Sequence, residues 1–355
     1  MRILIVTDAW PPQVNGVVRT IQTIGRELGK RGHEVRFITP EGHRTWAVPS
    51  YPEIKLSLVT ASAIGREIDA IGPDAIHIAT EGPLGWAARR ACLRRRLPFT
   101  TSFHTRIAEY IETRLPLPGI GSLMWRLLRR FHRPSLAIMA PAATIAAELG
   151  ERGFANVKVW TRGVDHRKFT ALSNDYFSLP RPVILYAGRV VKEKNIESFL
   201  KLDMQGTKVV VGDGPERMEY ERKYPAVVFT GYLHEGAYAC AMSSADVFVF
   251  PSLTDTFGLV MIEAMACGTP VAAFNVASPV DVVEQGVTGE LHADLSTAIA
   301  RALKLDREGV RQGAGEFTWQ RVVEMFESWL VPIVADGTEK TPTKALGPDQ
   351  AQAVM

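Results

Sequence analysis

The strongest constraint on the fold is an alternation of short β-branched runs with helix-length segments, which passes along the chain twice. The first series begins with RILIVTD at Arg2 and includes PFTTSFHT at residues 98–105. The second begins with PVILYAG at residues 182–188 and includes DVFVFPS at residues 246–252. Strands that alternate with helices form parallel sheets, and 355 residues exceed one ordinary core. We therefore predict an α/β fold of two Rossmann-like, doubly wound domains that face a central cleft.

The boundary between the two series lies in SNDYFSLPRP at residues 173–182, which is rich in turn formers. We predict an N-terminal domain over residues 1–170 and a C-terminal domain over residues 181–316. A helix over residues 317–335 is expected to cross back to the first domain. Residues 336–355 are rich in Gly, Pro, Thr and Lys and are predicted to be disordered.

Composition and charge narrow the class of protein. The hydrophobic content of 46% is ordinary for a soluble protein, and neither a membrane-spanning run nor a signal-peptide pattern is present. The cysteines at 92, 240 and 267 have no C-x-x-C spacing, which predicts no disulfide framework, no zinc site and a reducing cytoplasm. Residues 1–165 hold 23 Lys and Arg against 14 Asp and Glu, whereas residues 166–355 hold 18 against 24. The first half is therefore expected to meet an anionic surface, and no nucleic-acid partner is predicted.

Two carboxylates stand in the otherwise apolar stretch TDTFGLVMIEAMACGTPV at residues 254–271. A strand candidate precedes it and FGLVMIEAMA has helix length, so Asp255 lies in a loop and Glu263 one turn inside a helix. A buried, unpaired carboxylate is costly, so each needs a partner from outside the local sequence, and we expect a ligand. The free amides at the helix start suit phosphate. These amides belong to Phe257, Gly258, Leu259 and Val260. The alternative is an N-cap aspartate with a surface glutamate.

Three further candidates follow predicted strands. Arg189 and Lys194 flank the loop GRVVKEKN, and an arginine fork with a lysine point charge suits a diphosphate. Gly16, in PPQVNGVV, stands at the mouth of the first helix, where free amides would face the cleft. His104 ends a strand of the first series. The alternatives are a solvated turn for the loop, a tight turn at Gly16, and a packed or capping role for His104.

The segment GIGSLMWRLLRRFHRP at residues 119–134 predicts a basic amphipathic helix. Its apolar positions at helical spacing are Ile120, Leu123, Met124, Leu127, Leu128 and Phe131. Arg126, Arg129 and Arg130 lie opposite or at the flanks, and Trp125 lies near the border. Two interpretations stay open: a core-packed helix with a solvated basic face, or a helix that docks the domain on anionic lipid.

Four segments together resemble the retaining glycosyltransferases of family 4, which have the two-domain GT-B fold. They are FPSLTDTFGLVMIEAMACGTPV, GRVVKEKN, PPQVNGVVRTI and, at residues 160–165, WTRGVD. The resemblance covers about residues 1–330. The family usually has Glu where this chain has Asp255. A subgroup with the TDTFG version shares this departure, and it includes lipid mannosyltransferases and relatives of the sulfoquinovosyl and glucosyl diacylglycerol synthases.

The resemblance implies a role for each candidate at the donor site. Glu263 would bind the ribose hydroxyls of a nucleotide, and Asp255 the hydroxyls of the donor sugar. Arg189 and Lys194 would neutralise the diphosphate leaving group, so no metal or other cofactor is expected. The amides that would hold the sugar and the distal phosphate are those of Phe257, Gly258 and Leu259.

The remaining implied roles concern the rest of the cleft. Gly16 would lie against the diphosphate from the opposite domain, and Tyr232 would flank the base through its backbone. His104 would lie close to the anomeric carbon and the acceptor, and Arg162 would line the cleft near one of the sugars. In a retaining enzyme the departing phosphate oxygen can take the acceptor's proton, so a dedicated general base is not required.

These roles predict a hexosyltransferase that moves glucose, glucuronic acid or mannose from a UDP- or GDP-sugar to a membrane lipid, with diacylglycerol as the leading acceptor. The protein would be cytoplasmic and peripheral, bound to the inner face of the cell membrane through its N-terminal domain. The alternatives are a soluble, polysaccharide or lipopolysaccharide acceptor, a nucleotide-sugar 2-epimerase on the same fold, and a non-catalytic binding module. The epimerase would need a second pair of cleft carboxylates, which we do not find, and Arg189 with Lys194 argues against the binding module.

Overall fold

The computed structural model describes residues 1–48, 51–114, 117–172 and 175–333. The predicted disordered tail lies outside these ranges, as do the last two residues of the predicted helix 317–335 and the first two of the predicted linker.

The first half of the chain forms one parallel sheet. Its strands are β1 (Arg2–Val6), β2 (Glu34–Ile38), β5 (Ala75–Ile78), β6 (Thr100–Ser102), β7 (Ile138–Ala140) and β8 (Val157–Val159), while β3 (Thr45–Val48) and β4 (Tyr51–Ser57) form a separate antiparallel hairpin. The sheet order is β2-β1-β5-β6-β7-β8, and all its pairs are parallel. Strand β1 is apolar and buried from Ile3 to Val6, because helices cover both faces of a parallel sheet.

The second half repeats this arrangement. Its strands are β9 (Val183–Ala187), β10 (Thr207–Val211), β11 (Val228–Gly231), β12 (Val247–Phe250), β13 (Val271–Phe274) and β14 (Gly289–His292). They form a parallel sheet in the order β11-β10-β9-β12-β13-β14, and every residue of β9 is buried. The two sheets confirm the predicted α/β fold with two Rossmann-like halves.

Helices connect the strands in both halves. They are α1 (Gly16–Lys30), α2 (Ala61–Ile71), α3 (Pro83–Arg95), α4 (Ile107–Arg114), α5 (Ile120–His132), α6 (Ala143–Glu151), α7 (Ile196–Leu200), α8 (Arg217–Lys223), α9 (Glu235–Ser244), α10 (Leu259–Ala266), α11 (Pro279–Val282), α12 (Leu295–Ala302), α13 (Arg307–Gly313) and α14 (Trp319–Trp329). Single 3-10 turns occupy Lys192–Lys194 and Ala314–Glu316. Helix α1 begins where the Asn15 side chain accepts hydrogen bonds from two backbone amides, at 3.0 Å each.

The strand order reverses beside the first strand of each sheet, at β1 and at β9. In open parallel sheets, ligands bind in the crevice outside the carboxyl ends of the strands at this reversal. Here the two crevices meet, because the Thr256 hydroxyl of the second half donates to the His104 carbonyl of the first half at 2.6 Å. The topology therefore creates one cleft between the two sheets.

Helix α14 packs on the first sheet, although it follows the second sheet in sequence. The Trp160 indole donates to the Val322 carbonyl at 3.0 Å, and Phe326 is buried in the same cluster as Ile3. The segment before α14 runs beside the strand end at Gly163, where the Val164 amide donates to the Phe317 carbonyl at 2.9 Å.

A methyl group at Gly163 should weaken this docking. A Cβ there would lie 2.7 Å from the Trp319 backbone nitrogen, which cannot rotate aside, so Gly163→Ala is expected to lower the free energy of unfolding by about 1–3 kcal/mol. Urea unfolding measures the change. Gly150→Ala is the matched control, because an added Cβ meets nothing within 4 Å in α6. Equal unfolding midpoints for the two variants would contradict the expectation.

Candidate active site in the interdomain cleft

The loop between β12 and α10 forms one wall of the cleft. Gly258 precedes the helix with φ of 78°, and a Cβ on it would lie 2.7 Å from the Phe250 ring. Glycine is therefore required there. Phe257 is buried in the core, while the backbone turns into the helix at Leu259. The first amides of α10 thus stand at the carboxyl end of β12, where an anion can accept hydrogen bonds from them.

Asp255 of this loop forms a hydrogen-bonded ion pair with Lys194, which follows β9. Both side chains are mostly buried. Burial lowers the pKa of the Lys194 amine, but the Asp255 carboxylate and the Tyr110 and Tyr186 phenols outweigh this effect and hold the pKa above its ordinary value. Lys194 therefore stays cationic throughout the physiological pH range.

Glu263 of α10 has 4% of its side chain exposed and two protein partners. Arg19 Nη2 of α1 lies 2.5 Å from one carboxylate oxygen, and the Tyr238 hydroxyl of α9 donates to the other at 2.8 Å. The Glu263 carboxylate raises the pKa of Arg19 above its ordinary value. The partners of Asp255 and Glu263 do come from outside the local sequence, but they are protein groups where we expected a ligand.

Arg19 and Tyr238 were missed by the sequence reasoning. Arg19 lies one turn beyond Gly16 in α1, so its spacing from the cleft glycine was an available signal. Tyr238 gave no signal, because its contact with Glu263 depends on how α9 packs beside α10. Gly16 lies next to α10: a Cβ on it would be 3.1 Å from the Leu259 side chain. The beginnings of α1 and α10 therefore meet across the cleft.

Arg189 opens the loop that carries Lys194 and is half-buried. Tyr110 of α4 lies within electrostatic range of Lys194, Asp255, Glu193 and Arg189. The Tyr186 hydroxyl donates to the Arg189 carbonyl at 2.8 Å and fixes the start of the loop. Tyr110 was also missed, because its helix lies on the other domain.

His104 lies at the junction of the two domains and is 8% exposed. Its Nδ1 accepts a hydrogen bond from Arg162 Nη2 at 3.0 Å, and its Nε2 has no hydrogen-bond partner among the described residues. Burial lowers the pKa of His104 well below its ordinary value, and the Arg162 charge lowers it further. Arg162 was expected to line the cleft, and this expectation was wrong: it is 3% exposed and lies behind His104.

Tyr232 follows β11 and is 52% exposed, with its ring in edge contact with His234 at 5.0 Å between centroids. It lies near enough to Arg19 to raise the pKa of that guanidinium. Tyr232 therefore lies on the side of the cleft that holds Arg19 and Glu263.

Helix α5 carries the residues that were predicted to bind a membrane. Arg126, Arg129 and Arg130 are exposed, as predicted. Trp125 is not part of this surface: its ring stacks on Phe103, with centroids 6.0 Å apart, and the Arg152 guanidinium covers it. The apolar residues of α5 are partly exposed and partly buried. Its exposed members are Leu123 and Leu127, and its buried members include Leu128 and Phe131.

Two further features are absent from the described residues. Within the described ranges, His, Cys, Asp and Glu side chains form no group of three or more that could hold a metal ion. In the same ranges, no helix combines the length and apolar character needed to cross a bilayer.

Two family models match the chain. The model for Glycosyltransferase Family 4 matches residues 14–168, and the model for Glycosyl transferases group 1 matches residues 181–305. These matches correspond to the two sheets.

Several relatives match over most of the chain. A GDP-mannose-dependent alpha-mannosyltransferase of Mycolicibacterium smegmatis is 31% identical over 321 residues, 82% of this chain and 84% of the relative. A sulfoquinovosyl transferase of Arabidopsis thaliana is 30% identical, covering 83% of this chain and 65% of the relative. An alpha-monoglucosyldiacylglycerol synthase of Streptococcus pneumoniae is 26% identical over 97% of this chain and 89% of the relative.

Solved structures share the fold. Sucrose-phosphate synthase from Thermosynechococcus elongatus superimposes with a TM-score of 0.74 at 19% identity, over 92% of this chain and 97% of that chain. Anabaena HepE, in complex with UDP and glucose, superimposes with a TM-score of 0.67 at 17% identity, over 92% and 98%. The predicted GT-B arrangement of two Rossmann-like domains is confirmed, and the chain belongs to the family 4 glycosyltransferases.

Proposed function

We propose that this enzyme is a retaining glycosyltransferase that moves a hexose from a nucleotide-diphosphate sugar to a membrane lipid. The proposal rests on one observation, which is that two ion pairs lie in the same cleft. Asp255 with Lys194 and Glu263 with Arg19 flank the first turn of α10. Carboxylates suit the hydroxyls of a sugar and a ribose, and cations with helix-start amides suit the diphosphate between them.

In the proposed reaction, the bond from the anomeric carbon to the phosphate oxygen breaks, and the bond to the acceptor oxygen forms on the same face. Arg189, Lys194 and the first amides of α10 stabilise the negative charge on the departing diphosphate. The acceptor's proton passes to the departing phosphate oxygen. No side chain then has to act as a general base, and no metal is needed to neutralise the leaving group.

Donor binding would exchange the partners of both carboxylates. Ribose hydroxyls would donate to Glu263 and sugar hydroxyls to Asp255, which leaves Arg19 and Lys194 available to the phosphates. Each ion pair compensates the charge of a mostly buried carboxylate until the donor arrives.

Mannose from GDP-mannose is the donor sugar we favour. Three relatives, from Mycolicibacterium smegmatis, Corynebacterium glutamicum and Mycobacterium tuberculosis, are named GDP-mannose-dependent alpha-mannosyltransferases, at 29–31% identity over 82% of this chain. UDP-glucose and UDP-glucuronic acid are the alternatives.

Diacylglycerol at the inner face of the cell membrane is the proposed acceptor. The name of the Streptococcus pneumoniae relative supports a diacylglycerol lipid. On α5, Leu123 is 50% exposed and Leu127 is 39% exposed, beside three exposed arginines. Leucines rimmed by arginines suit the boundary between lipid headgroups and acyl chains, so the protein would be peripheral on the cytoplasmic side.

A soluble acceptor is the second candidate. A 2-deoxystreptamine glucosyltransferase of Streptomyces kanamyceticus is 30% identical over 64% of this chain. Its name supports transfer to a small polyhydroxylated amine.

Product analysis tests the function. With GDP-mannose, UDP-glucose or UDP-glucuronic acid and diacylglycerol vesicles, the wild-type enzyme is expected to form a glycolipid whose anomeric configuration matches that of the donor. Mass spectrometry identifies the lipid, and NMR reads the configuration. Lys194→Met should lower kcat about 10²- to 10³-fold, because one donor to the developing charge is lost. Lys192→Met is the control, since Lys192 is exposed in the same loop.

Three outcomes of this assay would overturn parts of the proposal. Transfer to 2-deoxystreptamine without transfer to lipid selects the soluble acceptor. A product of inverted configuration rejects retention. Equal activity of the two lysine variants rejects the role of Lys194.

Nucleotide affinity tests the role of Glu263. Glu263→Gln keeps the side-chain volume but removes the charge that ribose hydroxyls would meet, so the affinity for GDP is expected to fall about 10- to 100-fold. Isothermal titration calorimetry measures it. Glu308→Gln, on the exposed face of α13, is the control and should bind like the wild type. Undiminished GDP binding by Glu263→Gln would remove Glu263 from the donor site.

Vesicle co-sedimentation tests membrane docking. Reversing Arg126, Arg129 and Arg130 to Glu is expected to weaken binding to phosphatidylglycerol-containing vesicles at least about 100-fold, because each basic residue contributes about 1 kcal/mol near an anionic surface. Replacing Leu123 and Leu127 with Ser should weaken it further.

The control for this experiment carries the same change of charge on the second domain. It reverses Arg222, Arg301 and Lys304, which are all exposed, and should sediment like the wild type. A wild-type protein that stays in the supernatant, or an α5 variant that sediments normally, would reject docking through α5.

A further inference from the structure

His104 and Arg162 form a buried pair whose hydrogen-bond geometry fixes a proton. Arg162 Nη2 lies 3.0 Å from His104 Nδ1. A guanidinium has donors and no acceptor, so Nδ1 must supply the lone pair. A neutral imidazole with an accepting Nδ1 carries its only proton on Nε2.

Burial and the Arg162 charge together keep the imidazole ring from gaining a second proton. The partners of Arg162 are neutral: it donates to the Trp160 carbonyl at 2.6 Å and to the Thr161 carbonyl at 3.1 Å, and it stacks 4.5 Å from the Trp160 ring centroid. Among the described residues, no carboxylate lies in ion-pair range of it. Burial lowers the pKa of Arg162 to about 9, so it remains a cation at neutral pH.

The same groups set the charge of the imidazole. Burial lowers the pKa of His104 well below its ordinary value, and the Arg162 charge lowers it further. His77 is itself neutral, because burial lowers its pKa to about 3. His104 is therefore neutral throughout the physiological range.

The Nε2 proton has no acceptor in the described part of the chain. A buried donor without a partner costs about 1–3 kcal/mol, so such a group is best explained by a ligand that satisfies it. The position fits a substrate contact, because the Thr256 hydroxyl holds the His104 carbonyl at 2.6 Å and Thr256 adjoins Asp255.

We propose that Arg162 is a positioning residue that holds His104 as the Nε2–H tautomer, so that His104 donates a hydrogen bond to a substrate oxygen and has no basic nitrogen available to take a proton. This inference rests on the proposed function and deepens it: it assigns Arg162 a role outside substrate contact and makes His104 a donor. It also explains why the Arg162 charge needs no carboxylate partner, since such a partner would weaken its effect on the ring.

Nitrogen-15 NMR of the imidazole rings reads the tautomer directly. In the ligand-free wild type, His104 should carry its proton on Nε2 and none on Nδ1, from about pH 5 to pH 8, where Arg162 is a cation. The signals are assigned by their loss in His104→Gln. A proton on Nδ1, or titration of His104 near pH 6.5, would overturn the proposal. This test needs only the wild-type protein and no variant at Arg162.

Arg162→Met removes the donor and the charge together. Both tautomers of His104 should then be populated, and the ring should take up a second proton at a higher pH than in the wild type. Arg167→Met, at an exposed arginine in the same segment, is the control and should leave the spectrum unchanged. An unchanged His104 spectrum in Arg162→Met would overturn the proposal.

Transfer kinetics test the second half of the inference. Gln offers an amide N–H near the position of Nε2 and no basic nitrogen, so His104→Gln should keep kcat/KM within about tenfold of the wild type. His104→Ala should lose about 10- to 100-fold. Equal losses in both variants would overturn the donor role. The NMR result does not depend on sugar transfer. A protein that shows the Nε2–H tautomer but transfers no sugar would therefore reject the proposed function and leave the positioning role of Arg162 intact.

Discussion

The ion pair between Arg19 and Glu263 is the contact on which the cleft depends. It joins α1 of the first domain to α10 of the second at 2.5 Å, and it compensates a carboxylate whose side chain is 4% exposed. Both helices begin at the cleft, and a helix start carries a partial positive charge. Two such ends facing each other attract anions, and Glu263 lies where it can balance them. A ligand that separates Glu263 from Arg19 must offer hydroxyl donors to the carboxylate and an anionic group to the guanidinium. A ribose diphosphate has both groups.

The charge asymmetry of the two halves has a role within the molecule. Three cross-domain contacts place the carboxylate on the second domain: Arg19 with Glu263, Arg114 with Glu193, and Thr144 with Asp281. Through Arg19 and Arg114, part of the positive excess of the first half therefore pairs with carboxylates of the second half, whereas we expected the excess to meet an external anionic surface. The arginines of α5 make no such cross-domain contact in the described structure, so they remain the part of the excess available to a membrane.

The fold and much of the site could be predicted from the sequence because both depend on local patterns. Short apolar runs followed by turn formers define the strands, and groups at the carboxyl ends of parallel strands converge, as Lys194 and Asp255 do. Arg162 and Trp125 were misplaced for one reason: their exposure depends on which side chains of other elements cover them. Trp160 and His104 enclose Arg162, and Phe103 with Arg152 encloses Trp125. The contact of Tyr238 with Glu263 depends likewise on packing between two helices, which no local spacing encodes.

The protonation states around the cleft fit charge stabilisation better than proton transfer. The pKa of Lys194 lies above its ordinary value, that of Tyr186 is also raised by burial, and that of His104 lies well below its own. Arg162, at about 9, is a cation at neutral pH. A general base works best when its pKa lies near the working pH, and none of these four groups meets that condition. Fixed cations and a neutral donor instead hold a constant electrostatic field at the place where the leaving diphosphate would gain charge. Such a field stabilises charge but cannot accept a proton. It can therefore accelerate a reaction in which the leaving group itself takes the acceptor's proton, because no titrating side chain is then needed.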